Sequence, residues 1–491
     1  MSASDEKSFD GKGELAQPEV HDAAAFVEID PAVERRVRRK LDMTVLPAFA
    51  IIFGLNYLDK IGLSYAAIFG MRTDLNLVGQ DYSWCASIFY FGQLIAEFPV
   101  LYFLHKLPIR TFVAVSIMVW AVVVACQAAA HSFAGMATVR FFLGFTEGAV
   151  APAFVVMSSV FWRKAEQPIR IAVFVSANAL AQIVGALLLY GCGSIKGAAL
   201  EGWRVSFLVA AGLTVIGGIF FFVFVPVSPM TAWYLTPEER QVAVQRVAQE
   251  RASGEHSNFD WHQFWQTLKD PRFYIVFLWA FFVCITSVVV MGSIVIAGFG
   301  FTPFKTLLVG LPGPGLQLAT IWIAAISLMF FPNSRTWIQV AITLIPLVGV
   351  IMMRALPFSM KWALTGGYWM ATCNSSTYIV NMSVISSNFK GHTRKSMTSV
   401  AYFIGYATGC IAGPQLFLAR ESPLYRTATN AIIGLYVAYI LSMLAYYWIC
   451  RRENRRRDRL AAEGVEEAKP RPATKEDNTT DIDDLAFRYI L

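Results

Sequence analysis

Twelve stretches of about 20 mainly apolar residues, each long enough to cross roughly 30 Å of hydrocarbon, recur along this chain and constrain it more than any motif does. The first six lie near residues 43–69, 82–104, 109–130, 134–162, 169–193 and 203–225. The second six lie near residues 273–298, 304–331, 337–356, 359–388, 396–418 and 427–450. Charged residues make up 15% of the chain and hydrophobic ones 56%, whereas soluble domains are about a quarter charged. The reading is an all-α polytopic membrane protein with twelve transmembrane helices in two six-helix bundles. Segment 1–42 precedes the first bundle (43–226), a polar linker (227–272) precedes the second (273–450), and 451–491 form a tail.

The polar segments set the topology. In the linker, Thr236 followed by Pro237, Glu238 and Glu239 reads as an N-cap and first turn, so a charged, solvated helix is expected there. A catalytic role for its His256 and His262 is set aside on that ground. RRVRRK (35–40), WRKAEQPIR, the linker, KGHTRK (390–395) and RRENRRRDR (451–459) fall on one side of the spans. The other side has isolated bases such as Arg72, Lys196, Lys305 and Arg426. Basic loops stay inside, so both termini are expected in the cytoplasm, with the plasma membrane as the location. The net charge of +7 reflects this bias and gives no reason to invoke a nucleic-acid partner. No cleavable signal peptide is read in the first forty residues, so the first span acts as the signal. Asp30, Pro31 and Glu34 open what reads as a short basic helix at the inner membrane face. From Ala461 onward, charge and turn formers predict a disordered tail, with Lys469, Lys475, Thr479 and Thr480 as candidate modification sites. The sequons at Asn374 and Asn381 fall within a span and that at Asn478 in the tail, so none is expected to be glycosylated.

Ionisable residues inside spans carry the chemistry. Asp59 and Lys60 lie in the first span, Arg140 and Glu147 in the fourth, and a charge at mid-bilayer costs a few kcal/mol even on lenient scales. Asn56 shares the face of Asp59 and Lys60. Arg140 and Glu147 return to one face two turns apart, about 10 Å along the axis, with Gly144 and Gly148 making room for a partner helix or a ligand. A salt bridge that only locks the two helices is the alternative, but buried pairs stabilise poorly against apolar packing. Two acids and two bases therefore read as a proton and anion site. Glu97, after Gln93 and before Pro99, reads as a gate or packing residue. In the second half Asn374, Tyr378, Asn381 and Asn388 mark one face of the tenth span, and Tyr402 and Tyr406 come from the eleventh. Asn374 and Tyr378 suit ligand hydrogen bonding and helix packing equally. Gly405, Gly409 and Gly413 read as a close-packing face, and Asn178 and Gln182 as cavity lining. The seven cysteines show no paired spacing and the six histidines lie outside span centres, which argues against a metal site. No phosphate-binding loop follows a strand pattern. No enzyme activity and no cofactor are expected, and transport would draw on an ion or substrate gradient.

Three segments carry a resemblance: PAFAIIFGLNYLDKIGLSYAAIFGMRTDLNL, RFFLGFTEGAVAPAFVVMSSVFWRKAEQPIR and RKSMTSVAYFIGYATGCIAGPQLFLARESPLY. They resemble the major facilitator superfamily and, within it, the fungal allantoate permease branch of the anion:cation symporter family, over Asp42 to Trp448. The resemblance implies two bundles rocking about a central cavity. It implies proton binding at Asp59 and Glu147 and anion binding at Lys60 and Arg140, with Lys60 giving up the bidentate geometry of an arginine. The loops after the second and eighth spans, LHKLPIRT and FPNSRT, keep Lys106, Arg110 and Arg335 without the family's acid, so the partners that latch the inner gate stay open. The expected function is proton-coupled symport of a small organic anion, a carboxylate of allantoate, ureidosuccinate or nicotinate type, by a monomer in the lipid bilayer. Proton-driven efflux and a non-transporting nutrient receptor are the alternatives. The fifth span lacks the proline typical of the first, and the tails are too short for the second.

Overall fold

The computed structural model describes residues 29–163, 166–194, 200–252, 259–287, 291–331, 333–469 and 479–491. His256, Lys196, Lys475, Asn478 and the first 28 residues lie outside these. The chain forms twelve spanning helices arranged as two bundles of six. Nine helices among the described residues are long and apolar enough to cross a membrane by themselves. The other three are the seventh, tenth and eleventh. The seventh is made of Pro271–Ile285 and Gly292–Gly298, the tenth changes pitch through a 3-10 turn at Thr372–Ser375, and the eleventh, His392–Ala412, carries a polar face.

Glycine decides how closely the helices cross. A Cβ on Gly144 would meet the Phe89 carbonyl oxygen at 1.8 Å, and one on Gly405 would meet that of Phe277 at 2.3 Å. The fourth span thus packs directly on the second, and the eleventh on the seventh. The room at Gly144 is taken by a partner helix, and at Gly148 by Ala96.

Both described ends of the chain and the linker meet at one end of the bundles, called here the near end. The halves are joined toward the opposite, far end. Ser87 Oγ donates to the Ile411 carbonyl at 2.7 Å, Gln415 Nε2 to Ser87 at 3.0 Å, and the Ser293 amide to Ser64 Oγ at 3.1 Å. Phe304 packs its ring on Phe69 and Tyr190 there. A bundle pinned at its far end is closed on that side.

The near end departs from the sequence reading in three places. Asp30 does cap a helix, through a 2.8 Å bond from the Ala32 amide. That helix is no separate surface piece, however, and runs unbroken from Pro31 to Ala66. Its start is tied down by Glu34 to Arg163 (2.7 Å), Lys40 to Glu239 (2.6 Å) and Asp42 to Arg170 (2.6 Å). The linker is not simply solvated. Thr236 and Glu239 form the expected capping pair, but Arg246 on the same helix is 0% exposed and bonds Glu166. The tail is not disordered throughout. The last span continues as helix to Ala462, and residues 479–491 are folded onto the second half, with Asp481 0% exposed between Arg394 and Arg272. A long charged tail looks unfavourable to fold by composition alone; these partners, distant in sequence, reverse the balance.

Among the described residues, ion pairs at the near end join helices within each half and do not involve the loop bases read from the sequence. Asp42 pairs with Arg170 in the first half and Asp270 with Arg394 in the second. In each half an acid at the start of the first span meets an arginine at the start of the fifth. Arg110 instead reaches the Phe222 carbonyl and ring, and Arg335 reaches Ser383 and Ser387.

Candidate functional site

The four ionisable residues converge between the first, third and fourth spans. Asn56, Asp59 and Lys60 occupy neighbouring turns of one unbroken helix, which turns all three toward the fourth span. The fourth span is interrupted after Glu147 and resumes at Val150, so Glu147 ends the first helical piece. Lys60 Nζ lies 3.0 Å from Glu147 Oε2, and Asn56 Nδ2 donates to the same oxygen at 2.9 Å. Lys60 also donates to Asn56 Oδ1. Trp120 Nε1 donates to Asp59 Oδ2 at 2.8 Å, and Arg140 Nη1 lies 3.5 Å from the Asp59 carbonyl oxygen.

The arrangement leaves directed capacity unused. Arg140 is 2% exposed, yet its Nε and Nη2 have no hydrogen-bond partner. Asp59 Oδ1 and Glu147 Oε1 are likewise buried and unpartnered. An ion pair serving only to join helices would be expected to saturate its donors and acceptors, because an unmet buried polar group costs about 1–3 kcal/mol. A small cavity beside them is lined by Lys60, Leu63, Ala86, Phe89, Tyr90 and Arg140. It faces the second half, where Tyr406 meets Tyr90 at a ring distance of 6.2 Å. A planar anion entering there would meet a guanidinium with free N–H groups, an ammonium and aromatic walls.

The remaining sequence candidates divide. Tyr402 and Tyr378 pack ring to ring at 6.0 Å, and Tyr402 also receives a bond from Asn381 at 3.4 Å. Asn374 spends its amide on the Val283 carbonyl at 2.6 Å, a contact inside the second half. The 3-10 turn around Asn374 also breaks the even stripe that helical spacing predicted. Gln182 donates to Gln317 at 2.8 Å and so bridges the halves, while Asn178 keeps a buried, unpartnered Oδ1. Asn388 bonds Ile490 in both directions and is part of the tail contact. Trp120 and Gln317 were not read from the sequence. Trp120 sits in a span of small aliphatics, where an indole N–H needing a buried acceptor is the one available signal.

Comparison with known proteins follows the same lines. An uncharacterized transporter of Schizosaccharomyces pombe is 34% identical over 470 residues, covering 95% of this chain and 91% of its own length. The allantoate permease of Saccharomyces cerevisiae is 29% identical, covering 95% and 88%. Among solved structures, an inward-facing, unoccupied bacterial homologue of the human lysosomal transporter Spinster superposes with a TM-score of 0.62 at 14% identity, covering 91% of this chain and all of that one. Residues 49–414 match the Major Facilitator Superfamily, and with this fold and these relatives the chain belongs to that family of membrane transporters.

Proposed function

We propose that this transporter is a proton-coupled symporter of a small organic anion, a carboxylate of the allantoate, ureidosuccinate or nicotinate type. The observation that carries the reading is the buried Arg140 guanidinium with two unpartnered N–H-bearing nitrogens beside Lys60, Asp59 and Glu147. Two acids and two bases balance when all are ionised. An arriving carboxylate adds one negative charge to a dry site, where an unbalanced charge is strongly disfavoured. Binding one proton at Asp59 or Glu147 together with each carboxylate restores neutrality, so anion and proton travel as a pair. The likeness to allantoate permease supports the substrate class. The basic loops gathered at the near end support that end as the cytoplasmic one, and on this reading the protein works as a monomer in the plasma membrane.

Uptake by proteoliposomes containing the purified protein tests this, with labelled allantoate and nicotinate under an imposed pH gradient. Glu147→Gln should lose gradient-driven accumulation while still exchanging substrate across the membrane. Full accumulation by that variant would refute the coupling role.

A further inference from the structure

The folded tail occupies a groove lined by buried arginines of the second half. Arg394 is fully buried, gives Nε to Asp481 at 2.6 Å and shares Asp270 with Arg272. Arg457 is 1% exposed, gives its Nε to Glu453 at 2.9 Å and its terminal nitrogens to tail carbonyls, those of Asp481 at 2.7 Å and Phe487 at 2.8 Å. Tyr489 lies against the Arg272 and Arg457 guanidinium planes at 4.4 and 5.0 Å, with its hydroxyl on Asp481. Backbone pairing completes the fit: Asn454 bonds the Tyr489 amide and carbonyl, and the Arg335 amide donates to the Leu491 carbonyl. Take the tail away and buried arginine N–H groups lose their acceptors, a state more costly than a merely exposed surface.

We propose that the near end of the second half is a peptide-binding groove for an acidic segment ending in aromatic and apolar residues, filled in cis by residues 479–491, and that occupancy locks the helix ends it bridges into one moving body. These ends are the starts of the seventh, ninth and eleventh spans and the ends of the tenth and twelfth, through Arg272, Arg335, Arg394, Asn388 and Arg457. Gln266 of the linker joins them through Asp483 at 2.7 Å. Being tethered, the tail meets the groove at a high effective concentration, so a free peptide competes poorly until the tail is weakened.

The test uses the full-length protein and a fluorescent synthetic peptide with the sequence of residues 479–491. A full-length variant carrying Asp481→Asn, Phe487→Ser and Tyr489→Ser should bind the peptide about tenfold or more tightly than wild type does, because its own tail no longer blocks the groove. Binding should weaken with salt, and by about tenfold or more when the peptide itself carries Asp481→Asn. Equal binding by the two proteins, or binding by neither, would overturn the proposal. Hydrogen exchange provides a second reading if the triple variant does not fold. Asn454→Ala should speed exchange at the Tyr489 and Arg335 amides and leave the first half unchanged; wild-type amides at these positions that exchange like open chain, or a variant no faster than wild type, would equally refute it.

Discussion

Arg140 holds one weak backbone contact and offers two further nitrogens to whatever enters the cavity. A charge-assisted contact contributes about 1.5–3 kcal/mol, so Arg140→Gln should weaken carboxylate binding by roughly one to two orders of magnitude. An amide analogue such as nicotinamide should bind wild type and variant alike, and thermal shift across the pair of ligands reads the difference. Equal losses for acid and amide would mean that Arg140 holds helices rather than substrate. The presence of the four ionisable residues was legible in the sequence, because charge inside an apolar span has few uses. Their partners were not: Lys60 and Glu147 are 87 positions apart and Trp120 and Asp59 61 apart, and helical spacing reports only which residues share a face.

At the scale of single helices, glycine contacts set the crossing distances. Gly405→Ala puts a methyl group 2.3 Å from a carbonyl oxygen, and overpacking of this kind costs about 1–3 kcal/mol or more. The apparent melting temperature should fall, whereas Gly434→Ala, with nothing within 4 Å of the added carbon, should leave it unchanged. The helix ends make a separate prediction. Burial alone would raise the Asp270 carboxyl, but Arg272 and Arg394 outweigh it and hold it below its ordinary range. A depressed carboxyl contributes stability that is complete above its unfolded value, about 3.9, and is lost as pH falls through the folded one. Protection of amides at the near end of the second half, taken relative to the open-chain exchange rate at each pH, should therefore be flat from neutral pH down to about 5 and fall only in stronger acid. The spans themselves were readable because length and apolarity are local properties. The folded tail was not, since its stability belongs to arginines such as Arg394, 87 residues away from Asp481, and composition averages over one segment at a time.

For the molecule as a whole, closure of the far end combines apolar packing between the halves with a few polar bridges. Gln182→Ala removes the bond to Gln317, and a net hydrogen bond contributes about 0.5–1.5 kcal/mol, so the balance of conformations should shift two- to tenfold or so toward opening at that end. Cysteines placed at Ser64 and Ser293 report this, and their crosslinking in detergent should fall in the Gln182→Ala background. The linker has a consequence of another kind. Its first helix is fastened to the first half through Lys40 and Glu166, and its second to the other half through Thr393 and Arg394. The boundary between the two halves of the chain thus lies inside the linker rather than at either end of it. A gene split between codons 252 and 259 would yield two polypeptides, each carrying the segment that fastens its own helices, and their co-production should give an assembled transporter where a cut at residue 227 or 272 would not.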